Sequence, residues 1–236
     1  MDALINVIEN AAILVGGLAV RFAVAVVLLA LLVSVLLPFL FAGEGVRQLW
    51  RRFAGFGSEG GLTWRRGTYY SPAHAWLRTR AGFVRLGLDD LAGRLLRRVD
   101  AVALPAVGTY VKEGDALLTV SAGPRGVVLP SPVEGVVARV NPRLGDTPQS
   151  LVDDPYGRGW LLEVDPASDS FRSMKHDEAA RQWMHTEAVR LSLALERATG
   201  ILAADGGELA VPSHLLISEE QRAALEQQFL RALTKV

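Results

Sequence analysis

"TVSAGPRGVVLPSPVEGVV", Thr119–Val137, reads as two short strands meeting at a tight turn around Gly123-Pro124-Arg125. The same grammar repeats on both sides of it. "AVALPAVGTYV" and "ALLTVSA" precede it, "GVVARVN" and "GWLLEVDP" follow, and "AWLRTRAGFVRLGL" holds two more strands about an Ala81-Gly82 turn. Short strands at short intervals, punctuated by Gly and Pro, predict a compact β-barrel or sandwich. Alternating apolar residues such as Leu118 and Val120, or Leu162 and Val164, are expected to fill it. One helix interrupts the strands: "DDLAGRLLRRV" has an acidic N-cap and apolar Leu91, Leu95 and Leu96 at helical spacing.

Composition narrows the chemistry. The 25 basic and 25 acidic residues balance, which gives no electrostatic footprint for a nucleic-acid partner. Cysteine is absent, and this excludes disulfides, thiolate metal sites, cysteine-bound iron–sulfur clusters and covalent c-type haem in this chain. Nearly all the positive charge is arginine, because Lys112, Lys175 and Lys235 are the only lysines.

The hydrophobic excess lies near the start. "FAVAVVLLALLVSVLLPFLFA", Phe22–Ala42, is 21 residues without a charge. At about 1.5 Å per residue this matches a hydrocarbon core of roughly 30 Å. Arg21 separates it from a shorter apolar run, Ala11–Val20, and is expected to snorkel or to meet a partner's acid. The acidic Asp2 and Glu9 and the length of the run argue against a signal peptide. Arg47, Arg51, Arg52, Arg65 and Arg66 follow the run, whereas the ten residues before the apolar stretch, Met1–Asn10, contain no Lys or Arg, so the positive-inside rule puts the N-terminus outside. The expectation is a single-pass protein of a bacterial-type inner membrane with a cytoplasmic body, joined to its anchor by a flexible "GFGSEGG" linker, Gly55–Gly61.

Four stretches carry a resemblance. "YYSPAHAWLR" holds His74 and Trp76, and "VRLGLDDLAGRLL" holds Gly87 and Asp89. "VALPAVGTYVKEGDAL" has Leu104-Pro105, Gly108 and Gly114-Asp115. "NPRLGDTPQSLVDDPYGRGWLLEV" has Asp154-Pro155-Tyr156-Gly157 before Gly159-Trp160-Leu161. From Tyr69 to Pro166 the chain resembles the H protein of the glycine cleavage system, a barrel-sandwich hybrid related to lipoyl domains. The resemblance implies a lysine at the tip of a hairpin that carries lipoate through an amide. Aligned on Pro132 and Gly135, that position is Pro124, beside Arg125, and no lysine occurs between Lys112 and Lys175. Proline has no amine, and an arginine guanidinium stays protonated and non-nucleophilic.

The remaining sequence is helical in pattern. His176–Gly200 places Ala180, Trp183, Ala188, Leu191 and Leu195 at three- and four-residue spacing, with Gly200 as a C-cap. "SEEQRAALEQQFLRAL" begins with Ser218 as N-cap and Gln221 in the capping-box position, and carries Phe229. The four histidines have no paired metal-ligand spacing and read as solvated or capping residues.

The expected fold class is therefore mainly β with helices: a barrel-sandwich hybrid of H-protein type behind one transmembrane helix, with a C-terminal α-helical extension. The expected boundaries are 1–54 for the anchor, 55–68 for the linker, 69–170 for the H-protein-like domain and 171–236 for the extension. No catalytic residue, metal or cofactor is expected. The expected role is a non-catalytic adaptor of a membrane complex, by analogy a respiratory or photosynthetic electron-transfer assembly. The alternative is a lipoyl-domain mimic that binds a lipoate-dependent enzyme. Partners are other membrane subunits and the bilayer, contacted through Arg21, Pro124, Arg125, Trp183 and Phe229.

Overall fold

The computed structural model describes residues 17, 20–34, 55–123, 125–200, 204–205, 208–209 and 217–231, in two compact units, Met1–Ala54 and Gly55–Val236. In the first unit residues 20–34 are helical, and apolar side chains such as Phe22, Leu28 and Leu32 are exposed. Arg21 is exposed on this helix. Residues 35–42 of the expected span lie outside the described residues. Among the described residues no helix is long and apolar enough to cross a membrane.

The second unit begins with a hairpin, β1 (Phe56–Glu59) and β2 (Leu62–Arg65). This corrects the flexible linker expected over 55–68. Gly60 and Gly61, between the two strands, both have positive φ, which is the geometry a two-residue primed turn demands. The alternation of Leu62 and Trp64 then drives both side chains into the core, so the segment is held by burial.

A seven-stranded sheet follows from β3 (Tyr69–Tyr70), β4 (Ala75–Arg80), β5 (Phe83–Leu88), β7 (Tyr110–Val111), β10 (Gly135–Val140), β11 (Leu162–Pro166) and β12 (Lys175–His176). Its order is β12-β3-β4-β5-β11-β10-β7, with every pairing antiparallel. A second sheet of three strands comprises β6 (Ala101–Ala103), β8 (Ala116–Ala122) and β9 (Arg125–Pro130), in the order β6-β8-β9. Leu118, Val120, Val137, Leu162 and Val164 are buried, as the alternation predicts, whereas Val102, Leu104 and Val140 are only partly so.

Between the strands sit α1 (Asp90–Leu96), α2 (Arg143–Asp146) and α3 (Ser150–Asp153). Asp89 caps α1 by accepting the Ala92 N–H at 3.0 Å. The C-terminal helices are α4 (Asp177–Thr199), closed by Gly200 in the left-handed region, and α5 (Glu219–Leu230). Ser218 and Gln221 form a reciprocal capping box on α5, as their spacing predicts.

Buried Glu163 on β11 ties the sheet surface together. It accepts from Arg85 Nε at 2.8 Å and Arg139 Nε at 2.6 Å, while Arg85 also lies 4.5 Å over the Trp160 ring. Two half-exposed guanidiniums on one buried carboxylate satisfy the desolvation that a single partner leaves incomplete.

Candidate functional site

The β8–β9 hairpin is the first candidate. Ser121 pairs with Gly126 and Ala122 with Arg125, which leaves Gly123 and Pro124 to make the turn. Pro124 lies outside the described residues, and of Arg125 only the backbone is described. Gly123 adopts φ +65°, where an L side chain is strained, and donates its N–H to Asp100 Oδ2 at 2.8 Å. Asp100 in turn donates its backbone N–H to Ser121 O at 2.8 Å, and its other carboxylate oxygen receives Arg98 Nε at 2.6 Å. The Gly123 amide, reinforced by Arg98, holds the Asp100 carboxyl below its ordinary range. The turn is thus pinned from outside the hairpin.

Replacing Asp100 by alanine is expected to speed amide exchange at Gly123 by about tenfold, since a charge-assisted bond is lost. The global melting temperature should barely move. An unchanged exchange rate would show that the strand ladder alone holds the turn.

The hairpin does not fit a lipoyl group. An amide to lipoate requires a primary amine, and residues 113–174 contain no lysine. Lys112 is exposed in the turn after β7, where its carbonyl accepts the Asp115 N–H. Lys175 is exposed on the edge strand β12.

The second constellation is buried. His74, expected to be solvated or capping, is 1% exposed, with φ 58°. Its Nδ1 lies 2.7 Å from Asp89 Oδ2, and its Nε2 lies 3.7 Å from Glu187 Oε2 on α4. Burial alone would lower the His74 pKa, but Asp89 and Glu187 outweigh it and push the imidazole up to about 9. Burial likewise opposes ionisation of Glu187, yet His74 and Arg190 hold its carboxyl below the usual range. The buried His74 ring therefore sits between the carboxylates of Asp89 and Glu187. This arrangement fastens α4 to the β-domain.

Trp183 and Phe229 belong to the same cluster, which corrects their expected role as partner contacts. The Trp183 indole stacks on the His74 ring at 4.8 Å and is half-buried. Phe229 is 2% exposed, packs near His74 and carries the Arg190 guanidinium 5.3 Å over its ring. The apolar stripe of each helix was legible in the sequence. What it faces is the chain's own core.

A third set joins two distant stretches. Trp76 donates its Nε1–H to Pro155 O at 3.1 Å and stacks on Tyr156 at 5.9 Å. The Tyr156 hydroxyl donates to Thr63 O at 2.9 Å and receives the Tyr70 hydroxyl at 3.3 Å. Burial raises the pKa of both phenols, so both remain neutral donors. Tyr156 is therefore the hub that locks the β1–β2 hairpin, the His74–Trp76 segment and the Asp154–Gly157 turn together. Among the described residues no cluster of side chains could hold a metal ion.

These residues can be set beside known proteins. The family model described as Glycine cleavage H-protein matches residues 68–187, half of the chain. A glycine cleavage system H protein of Mycobacterium tuberculosis is 35% identical over 127 residues, covering 53% of this chain and 92% of that protein. A probable glycine cleavage system H protein of Aeropyrum pernix is 33% identical over 100 residues, covering 42% of this chain and 70% of that one. A crystal structure of a glycine cleavage system H protein from Mycobacterium marinum is 30% identical and aligns with TM-score 0.41, covering 43% of this chain and 85% of that one. The match reaches past Pro166, where the sequence resemblance was expected to fade, and takes in Trp183 and Glu187 on α4. With the His74, Trp76 and Tyr156 segments joined in one core, and the match extending over half its length, the chain belongs to the glycine cleavage H-protein family.

Proposed function

We propose that this chain is a membrane-anchored, non-catalytic docking subunit that uses an H-protein fold without lipoate. The observation that carries the reading is the hairpin tip, pinned by Asp100 and bearing no amine. A tip that cannot carry a swinging group serves as a contact, and the positive charge of Arg125 suits a partner's acidic surface. The uncharged run Phe22–Ala42, helical and apolar-faced over its described part, supplies the anchor. Arg21 at its edge meets an acid of a neighbouring span, and the complex served is an electron-transfer assembly of an inner membrane. A second reading is favoured by kinship: 35% identity to an H protein of a lipoate-dependent system suits a mimic that occupies an H-protein docking surface.

The test is to tag the C-terminus, solubilise native membranes in a mild detergent, and record co-purifying proteins, the absorption spectrum and the intact mass. The adaptor reading expects polytopic partners in fixed stoichiometry, a chromophore in the eluate and no lipoyl mass increment. Arg125→Glu should weaken the assembly by about tenfold. Colourless partners would remove the electron-transfer assignment, and soluble lipoate enzymes would select the mimic. A lipoyl increment on Lys112 or Lys175 would defeat both readings.

A further inference from the structure

The helices α4 and α5 present facing surfaces that do not close on each other. Between them lies an open groove of about 450 Å³, with Arg190, Leu193 and Arg197 along α4 and Ala224, Leu225 and Gln228 along α5. Every residue lining it follows Glu187, so the groove lies wholly beyond the part of the chain that the H-protein family model matches. It is separate from the β8–β9 hairpin.

Three properties define what fits it. The first is an apolar lining: Leu193, 46% exposed, stands beside Ala194 and Ala198 on α4 and faces Ala224 and Leu225 on α5. The second is charge: among the described residues, two arginines and no carboxylate line the groove. Arg190 is held by Glu187 at 2.6 Å, whereas Arg197 is exposed and no carboxylate among the described residues bonds it. The third is rigidity. Gln221 Nε2 donates to Ala198 O at 2.8 Å, and buried Leu195, Leu225 and Phe229 fix both helices to the core beneath.

We infer that this groove docks an acidic amphipathic helix of a partner protein. An apolar floor between two helices accepts apolar side chains at helical spacing. Arg197 at the rim, which no carboxylate among the described residues bonds, selects Asp or Glu on the flank of that helix and disfavours a basic one. The inference stands whether or not the hairpin tip touches a partner, because the two surfaces share no residue.

The experiment replaces Gln228, exposed at the groove rim, with a photo-activatable benzoylphenylalanine in the full chain. Cells expressing it are irradiated, and the cross-linked peptide is mapped by mass spectrometry. The expected product joins residue 228 to a segment of a different protein that is amphipathic at helical period, with Asp or Glu beside its apolar stripe. Leu193→Glu, which places a charge on the groove floor, should cut its yield by about tenfold. Arg197→Glu should cut it several-fold, and Arg197→Lys should restore it, which separates charge from packing. Far-ultraviolet circular dichroism and thermal melts of all three variants check that the helices remain. Cross-links confined to this chain, to a second copy or to lipid would overturn the inference. So would a partner segment without acidic residues, or an Arg197→Glu yield equal to that of the unaltered chain.

Discussion

Gly87→Ala is expected to destabilise the β-domain by about 3 kcal/mol, the sum of overpacking and a weakened indole hydrogen bond. Gly87 lies on β5 directly beneath the Trp76 ring, and a Cβ there would stand 2.4 Å from Trp76 Cε2 and Cζ2. Trp76 is buried, anchored to Pro155 O and stacked on Tyr156, so the ring has no room to retreat. The atoms in conflict, Nε1, Cε2 and Cζ2, lie along the ring-fusion edge of the indole, which the single ring of phenylalanine does not reproduce. Trp76→Phe in the same chain should therefore recover part of the loss, giving a double-mutant coupling of about 1–2 kcal/mol. Urea unfolding of the four proteins measures both numbers. Strict additivity would mean that strain elsewhere in β5 causes the loss.

The second large effect is a fall in stability on raising the pH. His74 titrates near 9 in the folded chain, and an unfolded histidine titrates near its ordinary value, about 6.5. Folding therefore favours the protonated form. The contribution is complete below about pH 6.5 and is lost progressively as the pH rises through 9. A difference of this size corresponds to about 3 kcal/mol. Glu187 acts in the opposite direction: its carboxyl is held low, so its share is present above the ordinary carboxylate range and lost on acidification. The docking of α4 should thus be firmest in mildly acidic to neutral solution. Denaturant midpoints from pH 6 to 9.5, compared with those of His74→Gln, isolate the histidine. A variant with the same alkaline slope as the parent chain would assign the effect to another group.

Both predictions concern residues whose meaning was unequally legible in the sequence. Gly87 and Trp76 appear there as motif letters, but that one is vacant to make room for the other is a fact of strand register, Trp76 pairing with Gly87 across β4 and β5. The β1–β2 hairpin was readable in principle, because Gly60-Gly61 between Phe56–Glu59 and Leu62–Arg65 has the spacing of a primed turn. Glycine density masked it, since a flexible linker and a tight hairpin use the same residues.

His74 illustrates the deeper limit. Nothing local distinguishes a surface histidine from one sealed at 1% exposure. Its partners Asp89 and Glu187 lie 15 and 113 residues away, and only folding brings them together. Trp183 and Phe229 follow the same rule. Helical period reveals that a face is apolar, and the tertiary structure decides whether a partner or the chain's own core covers it.

What could be read directly depends on local chemistry. Strands and turns follow from alternation and from Gly and Pro, and helix ends follow from caps, because each of these interactions closes within a few residues. The missing amine at the β8–β9 turn is equally a matter of residue identity, and no fold can supply it. Tertiary structure alone decided which charges pair, which aromatic faces are buried, and where a groove stays open between α4 and α5. Those outcomes depend on contacts between residues far apart in the chain, whose free energies appear only when distant segments share one core.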